Sequence, residues 1–379
     1  MVPIMMLMPA IATSCRLLGR PMSTMSAIVA SSKTCVVESR PIPVPVSGEF
    51  LLKVHAAGLN RPDVMQRSGT YPPPPGASDI LGLEVCGEII GIGGDVMNNS
   101  SSKHELGDRV CALVTGGAYA EYCLVDAEVC LKVPSHVESL QAACLPETTY
   151  TVWQNLFSCL PDAGSVHLAA GETLLVHGGT SGIGSIATQL AKARGCKVIA
   201  TAGTEDKVRQ CVEIFGADVA FNYNSTSNQS HWSQQVKDYV RRENNGVDGV
   251  DGVDGVDVVL DMVGGEYLQH NVNVLGTKGR LRVVGFMGGT PISTKVNMLR
   301  VLLKQISISG SVLRSRPIEL KRGLTKEIEE HVLPLVQAGI VAPHLYRVFD
   351  LSTCTKGSVN KAMDLMETST HVGKIVFKL

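Results

Sequence analysis

Short apolar runs broken by glycine and turn residues dominate the chain up to about Pro134. Runs of this length, rich in β-branched residues, are typical of strands. The pattern predicts strands over residues 50–56, 82–94, 109–114 and 118–125. The consecutive prolines from Pro72 to Pro75 lack backbone donors and predict a stiff exposed loop between the first two strands. We therefore expect a mostly β domain at the start of the chain.

Strands alternate with helices from about residue 147 onwards. Helical periodicity there separates short, continuous apolar runs, which are typical of parallel strands buried on both faces. The pattern predicts strands over residues 173–177, 197–202, 219–222, 256–262, 280–285 and 307–310, and helices over residues 147–160, 185–194, 205–215 and 265–275. The predicted fold class is α/β, with a doubly wound parallel sheet.

One low-complexity stretch precedes the fourth predicted strand of this series. Residues 246–257 repeat the triplet Val-Asp-Gly. A calcium-binding loop needs carboxylates at alternate positions and a distal Glu, whereas these Asp residues fall at every third position. We interpret the repeat as a lengthened surface loop, because loop insertions cost little closure entropy.

The composition favours a globular enzyme with a small-molecule partner. At 379 residues, 44% of them apolar, the chain is long enough for two hydrophobic cores. Its 34 Lys and Arg residues nearly balance 35 Asp and Glu residues, so no overall field draws it to DNA, RNA or an anionic membrane. The 11 cysteines form no Cys-x-x-Cys pair, which indicates buried thiols in a reducing compartment.

Residues 1–24 have an unusual composition, with two arginines, several hydroxyl residues and no acid. This composition is typical of a transit peptide for a mitochondrion or chloroplast. The apolar stretch at residues 2–12 is too short to span a bilayer, so no membrane anchor is expected. Met22 or Met25 could instead begin the folded chain. We favour an untargeted, cytoplasmic protein, and import into an organelle stays open.

The most informative segment is His177-Gly178-Gly179-Thr180-Ser181-Gly182-Ile183-Gly184, between a predicted strand and an amphipathic helix. Glycines allow a tight turn and a close approach of backbone N–H groups to a pyrophosphate, which the helix dipole stabilises. The spacing is Gly-x-x-Gly-x-Gly rather than Gly-x-Gly-x-x-Gly, and a plain strand-to-helix turn is the alternative. The surrounding strands and helices favour dinucleotide binding.

The end of the next predicted strand indicates which nicotinamide cofactor binds. An NAD site usually offers a carboxylate there to the ribose 2′-hydroxyl. Here the strand end is small and neutral, with Thr204 as a hydrogen-bond donor and Lys207 as a positive charge. This favours NADPH. Glu205 and Asp206 weaken the case, although they could be only the acidic first turn of a helix.

A metal site is not expected. Many two-domain alcohol dehydrogenases bind a catalytic zinc through Cys and His, but here Leu83 stands where a ligand His is expected. Residues 95–107 lack the cysteine cluster of a structural zinc lobe. His55, His104 and His177 are isolated from any partner motif, so ordinary histidines account for them.

Several separated motifs, in the same order, resemble those of one family. They are Ala57-Gly58-Leu59-Asn60-Arg61-Pro62-Asp63-Val64-Met65-Gln66-Arg67, Gly69-Thr70-Tyr71-Pro72-Pro73-Pro74, Gly82-Leu83-Glu84, Thr180-Ser181-Gly182-Ile183-Gly184, Leu313-Arg314-Ser315-Arg316 and Gly373-Lys374-Ile375-Val376. The motifs resemble quinone oxidoreductases of the zeta-crystallin type, which are zinc-free members of the medium-chain dehydrogenase/reductase superfamily. The resemblance covers about residues 25–379 and is strongest for the branch induced by a tumour-suppressor transcription factor in animals.

The resemblance implies two domains and a homodimer. Residues 25–148 and 312–379 would form a GroES-like catalytic domain around a Rossmann cofactor domain of residues 149–311, after a leader at residues 1–24. The residues implied at the cofactor are Asn60, Thr151, Ser181, Gly182, Ile183, Gly203, Thr204, Lys207 and Tyr223. Tyr71 and Ser181 are implied as catalytic residues on the substrate side. A turn role for Asn60 and a packing role for Tyr223 are the alternatives.

The chain also departs from the family between Val29 and Val36. It lacks the Gly-Pro-containing hairpin that usually joins the first strands, so we expect an irregular connection there.

The expected chemistry is transfer of hydride or electrons from NADPH to a quinone, with protons from solvent or Tyr71. An enoyl or alkenal reductase, which must protonate a carbon, shares the fold and cofactor. A structural or regulatory NADPH-binding protein is a further alternative, since lens crystallins and nucleic-acid binders occur in this family. RNA binding is not favoured, because no basic patch with interleaved aromatic residues is evident.

Overall fold

A computed structural model describes residues 23–94, 103–225, 231–243, 255–290, 295–351 and 356–379. Three segments that the sequence singled out lie largely outside these ranges. They are the leader up to residue 22, the segment at 95–102 and residues 246–254 of the Val-Asp-Gly repeat.

The first part of the chain is mostly β, as predicted. Its strands are β1 (Thr24–Ser31), β2 (Thr34–Pro41), β3 (Glu49–Leu59), β4 (Glu84–Ile92), β5 (Arg109–Leu113), β6 (Tyr122–Asp126) and β7 (Cys130–Lys132). The long strand β3 pairs antiparallel with β4 on one edge and with β6 on the other. The strand predicted over residues 118–125 was placed too early, since β6 begins at Tyr122.

The connection between β1 and β2 is a regular hairpin, so the irregular connection expected there is wrong. The strands pair without a register break, from Thr24 opposite Pro41 to Ser31 opposite Thr34. At the tip, Ser32 and Lys33 have φ values of 49° and 62°. Two successive residues with positive φ are typical of the turn that matches the twist of a hairpin, and no Gly-Pro pair is required.

The central part of the chain forms the predicted parallel sheet. Its strands are β8 (Thr173–Val176), β9 (Lys197–Ala202), β10 (Val219–Asn222), β11 (Val256–Asp261), β12 (Leu275–Val283) and β13 (Ser307–Gly310). Their order is β10-β9-β8-β11-β12-β13, so the chain starts in the middle and winds outwards in both directions. This is the Rossmann arrangement, and it confirms the α/β fold class.

Helices cover both faces of this sheet. They include α3 (Pro146–Leu156), α4 (Gly182–Ala193), α5 (Glu205–Glu213), α6 (Trp232–Glu243), α7 (Tyr267–Val274) and α8 (Met298–Leu303), after the short α1 (Arg61–Ser68) and α2 (Ser139–Ala142) of the β domain. Leu174 and Val176 pack with α3 and α4, whereas Leu175 of the same strand packs with α6 and α7. Helices α6 and α8 were not predicted from the sequence, and the predicted start of β12 was too late.

The end of the chain returns to the first sheet. After β13 come α9 (Ile318–His331), α10 (Leu333–Gln337), β14 (Leu345–Asp350), α11 (Lys356–Thr368) and β15 (Lys374–Lys378). β15 pairs antiparallel with the second half of β3, and β14 pairs parallel with β15. Strands from both ends of the sequence therefore meet within one sheet. In the described ranges, none of these helices combines the length and apolar character needed to cross a membrane.

Candidate active site

The glycine-rich segment forms the turn between β8 and α4. Ser181 caps α4, and its hydroxyl accepts a hydrogen bond from Gly184 N at 2.9 Å. A Cβ at Gly184 would collide with the carbonyl oxygen of Gly178, so this close approach requires glycine. The first turn of α4 holds no acid, and Ser181, Gly182 and Ile183 are partly exposed there. The turn therefore fits an anion such as a pyrophosphate.

Four of the residues implied at the cofactor lie together, of which Gly203, Thr204 and Lys207 follow β9 and Tyr223 follows β10. The Tyr223 hydroxyl lies 2.7 Å from the position of a Cβ on Gly203, so a larger residue there would clash with the tyrosine. Thr204 Oγ1 accepts a hydrogen bond from Lys207 N at 3.2 Å, which leaves its own proton available for donation. Lys207 Nζ donates to Ser369 O at 2.7 Å, and partial burial lowers the pKa of this lysine.

The two acids next to Thr204 have partners of their own. Glu205 Oε1 accepts a hydrogen bond from Asn222 Nδ2 at 2.7 Å. Asp206 forms an exposed ion pair with Arg209, at 2.8 Å. These contacts fit the reading of both residues as the acidic first turn of α5.

A buried ion pair lies beneath the glycine-rich turn. Lys374 Nζ is 2.6 Å from both Glu84 Oε1 and Asn60 Oδ1, and Asn60 Nδ2 donates to Glu84 Oε1 at 2.9 Å. Burial lowers the pKa of Lys374, but the charge of Glu84 outweighs this effect and raises the pKa above its ordinary value. Lys374 is therefore charged, and the Asn60 amide is held in place by the pair.

The start of β15 connects this ion pair to the glycine-rich turn. Gly373 N donates to Thr180 O at 2.7 Å, and Gly373 forms an isolated bridge with Ser181. A Cβ on Gly182 would lie 2.6 Å from Lys374 Cδ, so the lysine stem runs directly along the turn.

Tyr71, Arg314 and Glu147 form a second group of neighbouring side chains, here called the cleft. The guanidinium carbon of Arg314 is 5.5 Å from the centre of the Tyr71 ring, within the range of a cation–π contact. Arg314 Nε donates to Thr115 O at 2.9 Å, and Nη2 donates to Gln66 Oε1 at 2.8 Å. Burial raises the pKa of Tyr71 above its ordinary value, and the charge of Arg314 partly opposes this.

Glu147 lies at the first turn of α3 in the same cleft. Its backbone N donates to Glu84 Oε2 at 2.9 Å, and its side chain is half-buried. Burial raises the pKa of Glu147 to about 8, and the negative charge of Glu84 adds to this shift. A carboxyl group with this pKa is mostly protonated at neutral pH.

The ion pair of Lys374 and Glu84 is thus connected to Tyr71 and Arg314 through Glu147, which interacts electrostatically with all four. The residues Gly203, Thr204, Lys207 and Tyr223 form a separate group. Thr151 lies one turn after Glu147 on α3, is 8% exposed, and its hydroxyl has no hydrogen-bond partner among the described residues. Sequence reasoning did not nominate Glu84, Glu147, Arg314 or Lys374. Three of these were inside quoted motifs, whereas Glu147 had no signal beyond its position at the start of a helix.

A doubly wound sheet with a glycine-rich first turn, joined to a β domain, defines a nicotinamide-dependent oxidoreductase of the medium-chain dehydrogenase/reductase superfamily. Family models for an alcohol dehydrogenase GroES-like domain and a zinc-binding dehydrogenase match residues 46–135 and 182–335. The chain is 31% identical to the quinone oxidoreductase of Mus musculus over 339 residues, which are 89% of this chain and 91% of the relative. The chain belongs to the quinone oxidoreductase family.

The chain is also similar to a reductase with a different name and to a protein solved in complex with NADPH. Prostaglandin reductase-3 of Mus musculus is 28% identical over 350 residues, covering 89% of this chain and 83% of the relative. Among solved structures, a mycobacterial protein complexed with NADPH superposes with a TM-score of 0.75 at 26% identity, covering 94% of this chain and all of the other.

One family model is named for zinc-binding dehydrogenases, but the described residues do not fit a zinc site. Among them, no group of three or more His, Cys, Asp or Glu side chains is placed to hold a metal ion. Both ring nitrogens of His177 are hydrogen-bonded, to Thr201 Oγ1 at 3.0 Å and to Asn271 Oδ1 at 2.8 Å. Leu83, where a ligand His is expected, is a buried core residue.

Proposed function

We propose that this oxidoreductase uses NADPH to transfer hydride or electrons to quinones, without zinc. The observation that carries the proposal is the cleft that holds Tyr71, Arg314 and Glu147 together beside the glycine-rich turn. NADPH supplies the hydride when it is bound. The side chains of the cleft bind and orient an electron-poor acceptor, which needs no Lewis acid.

The proposed cofactor contacts follow the geometry of the cleft. Ser181, Gly182 and Ile183 hold the pyrophosphate, and Asn60 and Thr151 position the nicotinamide. The residues proposed to surround the 2′-phosphate are Gly203, Thr204, Lys207 and Tyr223. The lack of an unpartnered acid at the end of β9 supports NADPH over NADH, because Glu205 and Asp206 have partners. Tyr71 and Ser181 lie on the substrate side.

We also propose the division into a catalytic domain of residues 25–148 and 312–379 and a cofactor domain of residues 149–311. The pairing of β14 and β15 with the sheet of β3 supports this division. A cytoplasmic location is supported by the cysteines of the described ranges, which are all free thiols.

An enoyl or alkenal reductase is the second candidate. The likeness to prostaglandin reductase-3 and the protonated carboxyl group expected at Glu147 favour it. Both candidates use the same cofactor, so the acceptor distinguishes them.

A homodimer is supported by an apolar surface on α8, the helix that precedes the edge strand β13 in the chain. Its residues are Met298, Leu299, Leu302 and Leu303, which are 60–72% exposed. An apolar patch and an unpaired strand edge both favour association, and a second copy of the chain offers the same surface.

The test is steady-state turnover of NADPH with a panel of ortho- and para-quinones, α,β-unsaturated aldehydes and simple ketones. We expect the largest kcat/KM for quinones, unchanged after exhaustive chelation. A larger kcat/KM for unsaturated aldehydes would assign the protein to the second candidate. NADPH binding without turnover of any acceptor would indicate a structural or regulatory protein.

A further inference from the structure

One guanidinium nitrogen of Arg314 is a buried hydrogen-bond donor without an acceptor among the described residues. The residue is 5% exposed, and two of its three guanidinium nitrogens donate to Thr115 O and Gln66 Oε1. The third, Nη1, has no hydrogen-bond partner among the described residues. An unsatisfied buried donor is costly, and at a cleft it indicates a place where a ligand oxygen binds.

Glu147 offers a proton in the same cleft. Its carboxyl group accepts no hydrogen bond from the described residues, and it is half-buried rather than enclosed. The charged and titratable groups that act on it are Glu84 of β4, Asp63 of α1, Lys321 of α9, Lys374 of β15, Tyr71 and Arg314. The two lysines already have partners of their own, since Lys374 pairs with Glu84 and Lys321 Nζ donates to Arg314 O at 2.8 Å.

We propose that Arg314 and Glu147 form an acceptor-oxygen site, in which Arg314 Nη1 binds the carbonyl oxygen of a conjugated acceptor and Glu147 protonates it. This inference rests on the proposed function for the source of the hydride. The guanidinium lies over the Tyr71 ring, so an acceptor bound at Nη1 contacts this ring.

The step balances with the groups named. The C4–H bond of NADPH breaks, and its hydride adds to the conjugated acceptor, which leaves a negative charge on the acceptor oxygen. The O–H bond of Glu147 then breaks as the O–H bond of the product forms. The Glu147 carboxylate recovers a proton from solvent, so one NADPH and one proton are consumed for each acceptor reduced by two electrons.

Glu147 is a better proton source than Tyr71. Burial raises the pKa of Glu147 to about 8 and raises the pKa of Tyr71 above its ordinary value of 10.0. A general acid works best with a pKa near the operating pH, which favours the carboxyl group.

The first test needs no turnover. Burial raises the pKa of Glu147 from its ordinary value of 4.5 to about 8, so between these pH values the folded state holds a proton that the unfolded state releases. The free energy of unfolding therefore falls as pH rises through this window. Glu147→Gln removes this component of the stability. The melting temperature of this variant, relative to that of the unmodified protein, should therefore rise as the pH increases from 5 to 8. Glu138→Gln, an exposed control, should change nothing. A constant difference across the window would overturn the proposal.

The second test is the pH profile of kcat/KM for a quinone with NADPH. In the unmodified protein the rate should fall as pH rises through about 8, where Glu147 loses its proton. Glu147→Gln should lower kcat/KM by about a hundredfold and abolish its fall at high pH. Glu147→Asp should restore part of the activity and part of the pH dependence. Arg314→Lys should raise the KM for the quinone while the Kd for NADPH is unchanged. Quinone turnover by Glu147→Gln with the same fall in kcat/KM above pH 8 would overturn the inference and leave the proposed function unaffected. No quinone turnover by the unmodified protein would overturn the proposed function.

Discussion

Lys207 lies where the choice between NADPH and NADH is expected to be made. Its ammonium group already reaches the loop after α11, through Ser369 O at 2.7 Å, so it is held near the proposed phosphate position. We predict that Lys207→Ala removes about 1–3 kcal/mol of the preference for NADPH, the scale of a hydrogen bond to a charged group. The measurement is the ratio of the Kd values for the two cofactors.

Lys326→Ala is the control for this prediction. Lys326 is an exposed lysine of α9 that lies 3.8 Å from Glu128, so its loss should leave the ratio unchanged. Equal Kd values for NADPH and NADH in the unmodified protein would contradict the assignment.

Tyr71 is predicted to shape the acceptor pocket and not the cofactor site. Its ring lies over Arg314, and Tyr71→Ala removes an aromatic contact of about 0.5–1.5 kcal/mol. We expect a several-fold rise in the KM for a bulky quinone, with an unchanged Kd for NADPH. Tyr346→Ala, at a second tyrosine beside an arginine, should alter neither. Weaker NADPH binding with unchanged quinone kinetics in Tyr71→Ala would place the residue at the cofactor.

The hairpin of β1 and β2 illustrates how an element tolerates a turn that its sequence does not favour. Ser32 and Lys33 have positive φ values of 49° and 62°, a conformation that costs ordinary residues about 1–2 kcal/mol each. Replacing them together by Asn and Gly, the preferred pair for such a turn, should raise the midpoint of urea unfolding. An unchanged or lower midpoint would show that the turn is not strained.

The elements that were predicted correctly have signals within a few residues of one another. Strands β8 to β11 are local apolar runs, and the turn at Ser181 follows one of them directly, so periodicity and glycine spacing identified both. The prediction for the hairpin was wrong because the missing Gly-Pro pair was taken to indicate an irregular connection, whereas continuous cross-strand pairing from Thr24 to Ser31 gives a regular one.

The acceptor side of the site could not be predicted in the same way. Arg314 obtains its environment from Gln66, Thr115 and Tyr71, which lie far from it in the sequence. The raised pKa of Glu147 depends on burial and on Glu84 of another element. Such properties arise only when the two sheets come together, so the sequence indicated the cofactor turn but not the proposed proton donor.

The whole molecule is predicted to be a dimer through α8 and β13. Leu302 and Leu303 are 72% and 69% exposed, and burying such side chains between two copies favours association. Analytical ultracentrifugation should show a dimer for the unmodified protein and a monomer for the variant with Leu302→Glu and Leu303→Glu. Val44→Glu, at an apolar position that is 79% exposed elsewhere, should remain dimeric. A monomeric unmodified protein would contradict the assembly.

The central claim is that the protein transfers reducing equivalents from NADPH to a quinone bound at the cleft of Tyr71, Arg314 and Glu147. A single-turnover experiment tests it most directly, with NADPH bound to excess protein and mixed anaerobically with a small para-quinone. We predict that bound NADPH is oxidised in one phase, far faster than in free solution. Oxidation of NADH under the same conditions should be slower by about tenfold or more. Prior chelation should change neither rate. Oxidation of bound NADPH no faster than in free solution would contradict the account.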